Sequence, residues 1–340
     1  MKKILLFISF LIIAGAIFCA WFFPSAFVGS PSEQTINVQL PEASSVAQIS
    51  QLLEEKGIIT SAWAYKIFAK LDKSAQNAKS GSYNIAPGTS FKDIARQLAL
   101  GPERDEITIR LIEGYSLPDL KSELQKYEVS EISFQDLVGD ISSNKPFSTG
   151  LRDQYDFLKN LPSDATLEGY LFPNTYRVWK DQLPLGLVIK LLNEFQNQTK
   201  GFAEQAVDQN RDLHEIVILA SIVEKEGKTS EERRMIAGIY LNRLKIGMRL
   251  QSDATVNYIT KAGRARPTLD DLEVISPYNT YQNDGLPPGP ICNPGLDALQ
   301  ATLNPTPNDY YYYLHDEEGN VYYARNIEEH KVNRYKAYGE

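Results

Sequence analysis

Residues 216–223 read Ile-Val-Ile-Leu-Ala-Ser-Ile-Val, with no charge and a single hydroxyl. A run that apolar inside a globular chain is a buried element. It breaks off into Glu224-Lys225-Glu226-Gly227. Wound as a helix from about Asp212, it has two sides. Leu219, Ile222, Val223 and Glu226 fall on one face, and Glu224 continues the roughly opposite face of Val217, Ala220 and Ser221. Thr229, with Glu232 three residues on, opens a second helix over 231–246, and Gly247 ends it. Helical spacing also marks 62–71 (Trp63, Ile67, Phe68, Leu71) and 185–199 (Val188, Leu191, Leu192, Phe195). Weaker helix signals lie at 133–137 and 295–303. Apolar runs at 310–314 and 321–324 flank the turn 316–320 and predict a hairpin.

Part of the pattern repeats. Gly88-Thr-Ser-Phe-Lys-Asp-Ile-Ala-Arg-Gln-Leu98 aligns with Gly114-Tyr-Ser-Leu-Pro-Asp-Leu-Lys-Ser-Glu-Leu124, and each follows a strand-like run. A serine followed three residues later by an aspartate is a helix start. A looser third copy lies at 41–53, after a strand-like run at 36–40. With the helix at 62–71, residues 36–86 run β-α-α-β. That order resembles LysM modules, which bind cell-wall glycans; a small structural domain is the competing reading.

At the N-terminus, Lys2 and Lys3 precede an apolar run at 4–23, stopped by Pro24. Roughly twenty apolar residues suffice to span a bilayer. The run exceeds a usual signal-peptide core, and Trp21, Phe22 and Phe23 read as an interfacial belt. A retained single-pass helix is expected, with the lysines cytoplasmic and the rest of the chain outside.

The net charge of −8 argues against nucleic acid, which requires a basic surface. The 19 tyrosines suit sugar rings, but they equally fill strands and half-buried surfaces. Of two cysteines, Cys19 lies in the apolar run, so a bridge to Cys292 is not expected. The three histidines are scattered, and neither a metal nor a cofactor is expected.

The candidate chemistry sits where the apolar run ends. Glu226 continues its bulkier stripe, and burial raises a carboxyl pKa. The partial negative charge of a helix C-terminus pushes the same way. A glutamic acid that keeps its proton near neutral pH is the general acid of glycoside cleavage. A simply solvated helix end is the competing reading, and Glu224 is the alternative acid. Ordinary glycosidases need a second carboxylate. Glu168 and Asp253 are available, but no spacing ties either to Glu226. An acid working alone needs its nucleophile from the substrate, and an internal hydroxyl would leave an anhydro sugar. Glu168 lies in Leu167-Glu-Gly-Tyr-Leu-Phe-Pro-Asn-Thr-Tyr176, a shaped loop rather than a regular element, and capping loop amides is its other reading. The Pro-, Gly- and Tyr-rich stretch 276–290 is a long loop, of the kind that is usually functional.

Several motifs together carry a family resemblance. They are Ala220-Ser-Ile-Val-Glu-Lys-Glu226, Asn242-Arg243-Leu244, Leu250-Gln-Ser-Asp-Ala-Thr-Val-Asn-Tyr258, Tyr278-Asn-Thr-Tyr281, Gly285-Leu-Pro-Pro-Gly289 and the loop 168–176. As a set they resemble the endolytic murein transglycosylases, the YceG-like family. The resemblance implies cleavage of peptidoglycan glycan strands between N-acetylmuramic acid and N-acetylglucosamine. The new ends would be 1,6-anhydromuramic, made by the muramic C6 hydroxyl, and cleavage would terminate nascent strands. It implies Glu226 as the catalytic residue. Glu168, Gln251, Ser252, Asp253, Thr255, Tyr278, Asn279 and Tyr281 are expected to line the substrate cleft, some of them only organising the loop. Arg243 is expected to pair with Glu224 or Glu168, and 169–173 to pack on the core helix.

The expected architecture is α+β. A cytoplasmic tail (1–3), a membrane helix (4–23) and a linker (24–35) lead into LysM-like and repeated β-α units (36–127), followed by a catalytic domain (128–340). Expected partners are peptidoglycan glycan strands, the inner membrane and glycan synthases of the cell-wall machinery. The alternative function is a non-catalytic glycan-binding component of that machinery.

Overall fold

The structure is a computed structural model describing residues 33–102, 105–261 and 266–339. The run at 4–23 lies outside them, and among the described residues no helix is long and apolar enough to cross a membrane. The chain is α+β, and among the described residues it forms helices and three two-stranded antiparallel sheets. It divides into two compact units, Met1–Arg104 and Asp105–Glu340.

The described part of the first unit follows the β-α-α-β order read from the sequence. Strand β1 (Ile36–Leu40) is followed by α1 (Val46–Glu55), α2 (Ala62–Leu71), β2 (Gly81–Ile85) and α3 (Phe91–Leu100). β1 pairs β2 from Ile36↔Ile85 to Leu40↔Gly81. Alternation turns Val38, Leu40, Tyr83 and Ile85 inward. They meet Leu53, Phe68, Ile94 and an edge-to-face Tyr65–Phe91 pair at 5.3 Å. The repeated serines do cap helices. Ser45 exchanges bonds with Gln48, and the Asp93 amide donates to Ser90 Oγ at 3.2 Å.

The second unit opens with β3 (Glu106–Arg110) and α4 (Leu117–Gln125), then α5 (Glu131–Val138), α6 (Thr149–Gln154) and α7 (Asp156–Lys159). β4 (Thr175–Trp179) pairs β3 from Glu106↔Trp179 to Arg110↔Thr175. That pairing fixes the division of the chain. The β-α copy around Gly114 was expected with the N-terminal units, up to 127. Its strand instead bonds to β4, so the division falls at 104/105.

The remaining helices are α8 (Leu185–Gln198), α9 (Phe202–Asp208), α10 (Leu213–Glu226), α11 (Ser230–Lys245), α12 (Asp253–Thr260), α13 (Leu269–Leu272) and α14 (Leu296–Leu303). The hairpin β5 (Tyr312–His315) and β6 (Val321–Ala324) and a final α15 (Ile327–Tyr338) complete the unit.

The Ile216 run is the central helix, α10, capped by Asp212. Residues 216–223 are all buried, as expected of a helix apolar on every side. The two faces serve two clusters. Val217 and Ala220 pack among Tyr170, Leu171, Ala298 and Leu299. Leu219, Ile222 and Val223 pack among Tyr240, Leu250 and Ile291. The loop 168–174 lies on the first face: a β-carbon on Gly169 (φ +88°) would stand 2.8 Å from Val217 Cγ1 and 2.5 Å from Pro290 Cγ. Only glycine fits so close an approach.

Candidate functional site

The faces of α10 send its two terminal glutamates to different places. Glu224 emerges beside α14. It pairs with Arg233 at 2.7 Å and accepts the Gly295 amide at 2.9 Å. Arg233 bridges on to Asp297 at 2.7 Å. Both Glu224 oxygens are thus occupied by structural partners. Arg243 does not supply the ion pair expected of it. It donates to the carbonyls of Leu250 and Tyr311 and lies over the Tyr312 ring. A guanidinium spent on two backbone acceptors fixes chain segments rather than a carboxylate.

Glu226, last residue of α10, opens on a cleft of about 660 Å³ that is also lined by Lys225, Asp253, Asn257, Tyr258 and Ser116. It is half-buried. Ser252 Oγ donates to its Oε1 at 2.6 Å, and Tyr313 Oη to its Oε2 at 2.9 Å. Burial raises its pKa above the usual carboxylate range. The two hydroxyls pull it down, Asp253 pushes it up, and His315 opposes that. The outcome is an acid that holds its proton longer than a solvated glutamate and has two donors ready for its charged form.

Ser252 is placed by a rigid segment. Gln251 sits in the left-handed region at φ 48° and is itself exposed. That conformation costs a residue with a β-carbon roughly 1–2 kcal/mol. The loop after α13 holds it there: the Gln251 amide donates to the Thr280 carbonyl at 3.1 Å, and the Ser252 amide to Thr280 Oγ1 at 3.0 Å. Thr255 closes the cluster by bonding Thr280 Oγ1 at 2.9 Å and the Ser252 carbonyl at 2.8 Å.

The expected cleft residues therefore separate. Glu226 and Asp253 line the cleft, and Ser252, buried behind it, joins them through its bond to Glu226. Tyr281 touches the cleft through Asp253, donating to Oδ1 at 2.5 Å. Thr255 and Asn279 are fully buried organisers; the Asn279 amide nitrogen binds the carbonyls of Leu272 and Val274. Gln251 contributes backbone.

Tyr278 and Glu168 line a side lobe of about 230 Å³, which shares Pro118, Tyr258 and Lys261 with the main cleft. Glu168 is 1% exposed and binds at the start of α4. Its oxygens accept the Leu117 amide at 3.0 and 3.1 Å, Tyr258 Oη at 3.1 Å and Asn293 Nδ2 at 3.2 Å. Burial pushes its pKa up to about 8. Amide capping, one of its two sequence readings, is thus present in full.

Three contributors carry no role in the sequence reading. Tyr313 is on β5, and strand alternation in 310–314 pairs its side with that of Tyr311 without saying which side meets Glu226. Thr280 lies inside the quoted Tyr278-to-Tyr281 motif. Asn293 is fully buried: its Oδ1 accepts the Gly169 and Leu171 amides, while its Nδ2 donates to the Tyr115 carbonyl. Its position between two prolines, in a loop after a Gly- and Pro-rich stretch, was the available signal. Cys292 beside it is buried and free.

A sequence profile of the YceG-like family matches residues 38–336. Over 325 residues the chain is 31% identical to a Streptococcus pneumoniae D39 protein named endolytic murein transglycosylase, covering 90% of this chain and 59% of that protein. A Bacillus subtilis 168 protein of the same name is 30% identical over 311 residues, covering 89% and 85% respectively. The chain thus spans less than two thirds of the pneumococcal relative and most of the Bacillus one. The crystal structure of a putative YceG-like protein from Listeria monocytogenes superposes with a TM-score of 0.57 at 30% identity, covering 88% of this chain and 99% of that one.

Proposed function

The chain belongs to the YceG-like family, and on that premise we propose that it cuts peptidoglycan glycan strands internally as a lytic transglycosylase, with Glu226 as its acid. The observation that carries the reading is the setting of Glu226. It is a carboxyl held above its usual pKa by burial, facing a cleft, with two hydroxyls on its oxygens. The relatives named endolytic murein transglycosylase supply the substrate class.

In the proposed reaction Glu226 protonates the oxygen joining muramic C1 to the next sugar, and the C1–O bond breaks. The muramic C6 hydroxyl adds to C1 and returns its proton to Glu226. No water is consumed, and the new end is a 1,6-anhydro sugar. The carboxylate exists between the two transfers, and there the Ser252 and Tyr313 hydroxyls are at their strongest as charge-assisted donors. Cleavage within nascent strands would end their elongation.

The remaining parts of the reading follow from sequence. The run at 4–23 is a single-pass anchor in the inner membrane with the catalytic unit outside, and glycan synthases are its neighbours there. The β1-α1-α2-β2 unit is a LysM-like glycan-binding module.

The test is mass spectrometry of purified glycan strands after digestion. Anhydro-ended fragments are expected from the native chain, and none from Glu226→Gln, with the fold retained. No fragments from the native chain would favour a non-catalytic glycan-binding component. Reducing muramic ends would instead make Asp253, on the same cleft, the base that activates water.

A further inference from the structure

The contacts around Glu226 extend past the two hydroxyls that touch it. Tyr313 Oη also lies 2.8 Å from Tyr240 Oη on α11. The Tyr240 ring is 1% exposed and meets Tyr313 edge-on, 85° between planes at 6.1 Å. The Tyr240 hydroxyl interacts with that of Ser252 as well. Three hydroxyls from three segments thus surround one carboxyl.

Tyr313 has one hydroxyl hydrogen and two neighbours to receive it. Tyr240 biases the choice. When Tyr240 donates to the Tyr313 oxygen, the Tyr313 hydrogen points at Glu226. The two bonds then run in one direction, each polarising the next. This arrangement is strongest when Glu226 is charged, because the final bond is then charge-assisted. Burial favours the protonated acid; the tyrosine pair favours the carboxylate.

We propose that Tyr313, oriented by Tyr240, is a positioning residue that sets how readily Glu226 releases its proton. It acts through Glu226, and so rests on the reading of Glu226 as the acid. Asp253 on α12, Tyr281 of the 278–281 loop, Arg243 on α11 and His315 on β5 also face this region and contribute through charge. The Glu226 hydrogen bonds among the described residues come from Ser252 and Tyr313.

The test is the pH dependence of kcat and KM for glycan cleavage. Phenylalanine keeps each ring and removes only the hydroxyl. Tyr313→Phe should move the alkaline limb upward by roughly one to two pH units, the worth of one hydrogen bond to a charged group. Tyr240→Phe should move it the same way by less. The double variant should fall short of the sum of the two single shifts, because the part of Tyr240's effect that runs through Tyr313 is lost with it and only the part through Ser252 remains. In each, kcat on the acid plateau should fall with KM unchanged. Tyr323→Phe, opposite Tyr313 across the hairpin, should leave the limb in place.

A limb unmoved in Tyr313→Phe, whatever happens to kcat, would mean that the hydroxyl does not set how readily Glu226 releases its proton, and would overturn the proposal. A double variant whose shift is the sum of the singles would break the link through Tyr313. If Tyr313→Phe fails to unfold cooperatively, Tyr240→Phe carries the test, and an unmoved limb there overturns the proposal. Cleavage surviving in Glu226→Gln would sink the acid assignment itself, a separate result from Glu226-dependent cleavage with an unmoved limb.

Discussion

Glu168 gives the sharpest dependence on pH. It is 1% exposed, and burial lifts its carboxyl from 4.5 to about 8 against the Leu117 amide and the Tyr258 hydroxyl. Between those values the folded protein holds a proton that the unfolded chain has released. Stability therefore falls as pH rises through that window. Below 4.5 and above about 8 the residue contributes no slope. Each pH unit inside the window is worth ~1.4 kcal/mol, so the full span is on the order of 5 kcal/mol at most. That is comparable to the whole stability of a marginal domain, about 5–15 kcal/mol. Glu168→Gln removes the titration and keeps the shape. Its amide oxygen can accept from Leu117 and Asn293, and its amide nitrogen can donate to the Tyr258 oxygen, the reverse of the bond that Tyr258 gives the carboxyl. Urea unfolding across about pH 5 to pH 9 reads the difference. The native chain should lose stability relative to the variant steadily through the window, with the two converging at its acid end. A native chain that holds or gains on the variant, and a variant weakened by ~3 kcal/mol at neutral pH, would refute the reasoning, for Glu168 would then be an ionised acceptor of three donors. The outcome bears on mechanism, since a neutral Glu168 cannot take a proton from water, and Asp253 and Asp119 are then the carboxylates that line the cleft beside Glu226.

Two further substitutions probe the support of the core helix. Arg233→Ala leaves Glu224, its side chain 5% exposed, without its guanidinium. Stability should fall by about 3–5 kcal/mol in urea unfolding, and a loss under ~1 kcal/mol would show that the pair is solvated. Gly169→Ala places a β-carbon 2.5 Å from Pro290 at φ +88°. It should cost at least ~2 kcal/mol, and an unchanged Tm would contradict the close seating of the 168–174 loop on α10.

What the sequence showed best was local. The apolar run, the serine caps and the hairpin depend on neighbours within a few residues, and each stands where the pattern put it. The separation of Glu224 from Glu226 was legible for the same reason: two positions on a helix differ by about 200° of rotation. What escaped depends on distant partners. Thr175 to Trp179 is a strand because β3 is there to bond it, and the loop before it, with Gly169, Pro173 and its aromatics, hid the start. Helix α15 has no buried residue and no apolar stripe to announce it. Helix α12 holds Thr255, Val256, Ile259 and Thr260, a composition that favours strands, and packing overrides it. Arg243 was matched to a carboxylate because charge suggests charge. Its carbonyl partners, like those of Asn293, are set by chain crossings that no spacing encodes.

The hairpin that carries Tyr313 is half-buried, whereas the helix that carries Glu226 is sealed on every side through Val223. Tyr313 stands 87 residues after its acid. Protein regions open independently, those with little buried apolar surface most often. Each opening that lifts β5 away takes one of the two donors from Glu226 and leaves the core helix covered. With Glu226 as the acid, chemical competence and structural integrity would be separate quantities in this chain. An opening confined to β5 would disarm the acid without registering in a probe of global folding.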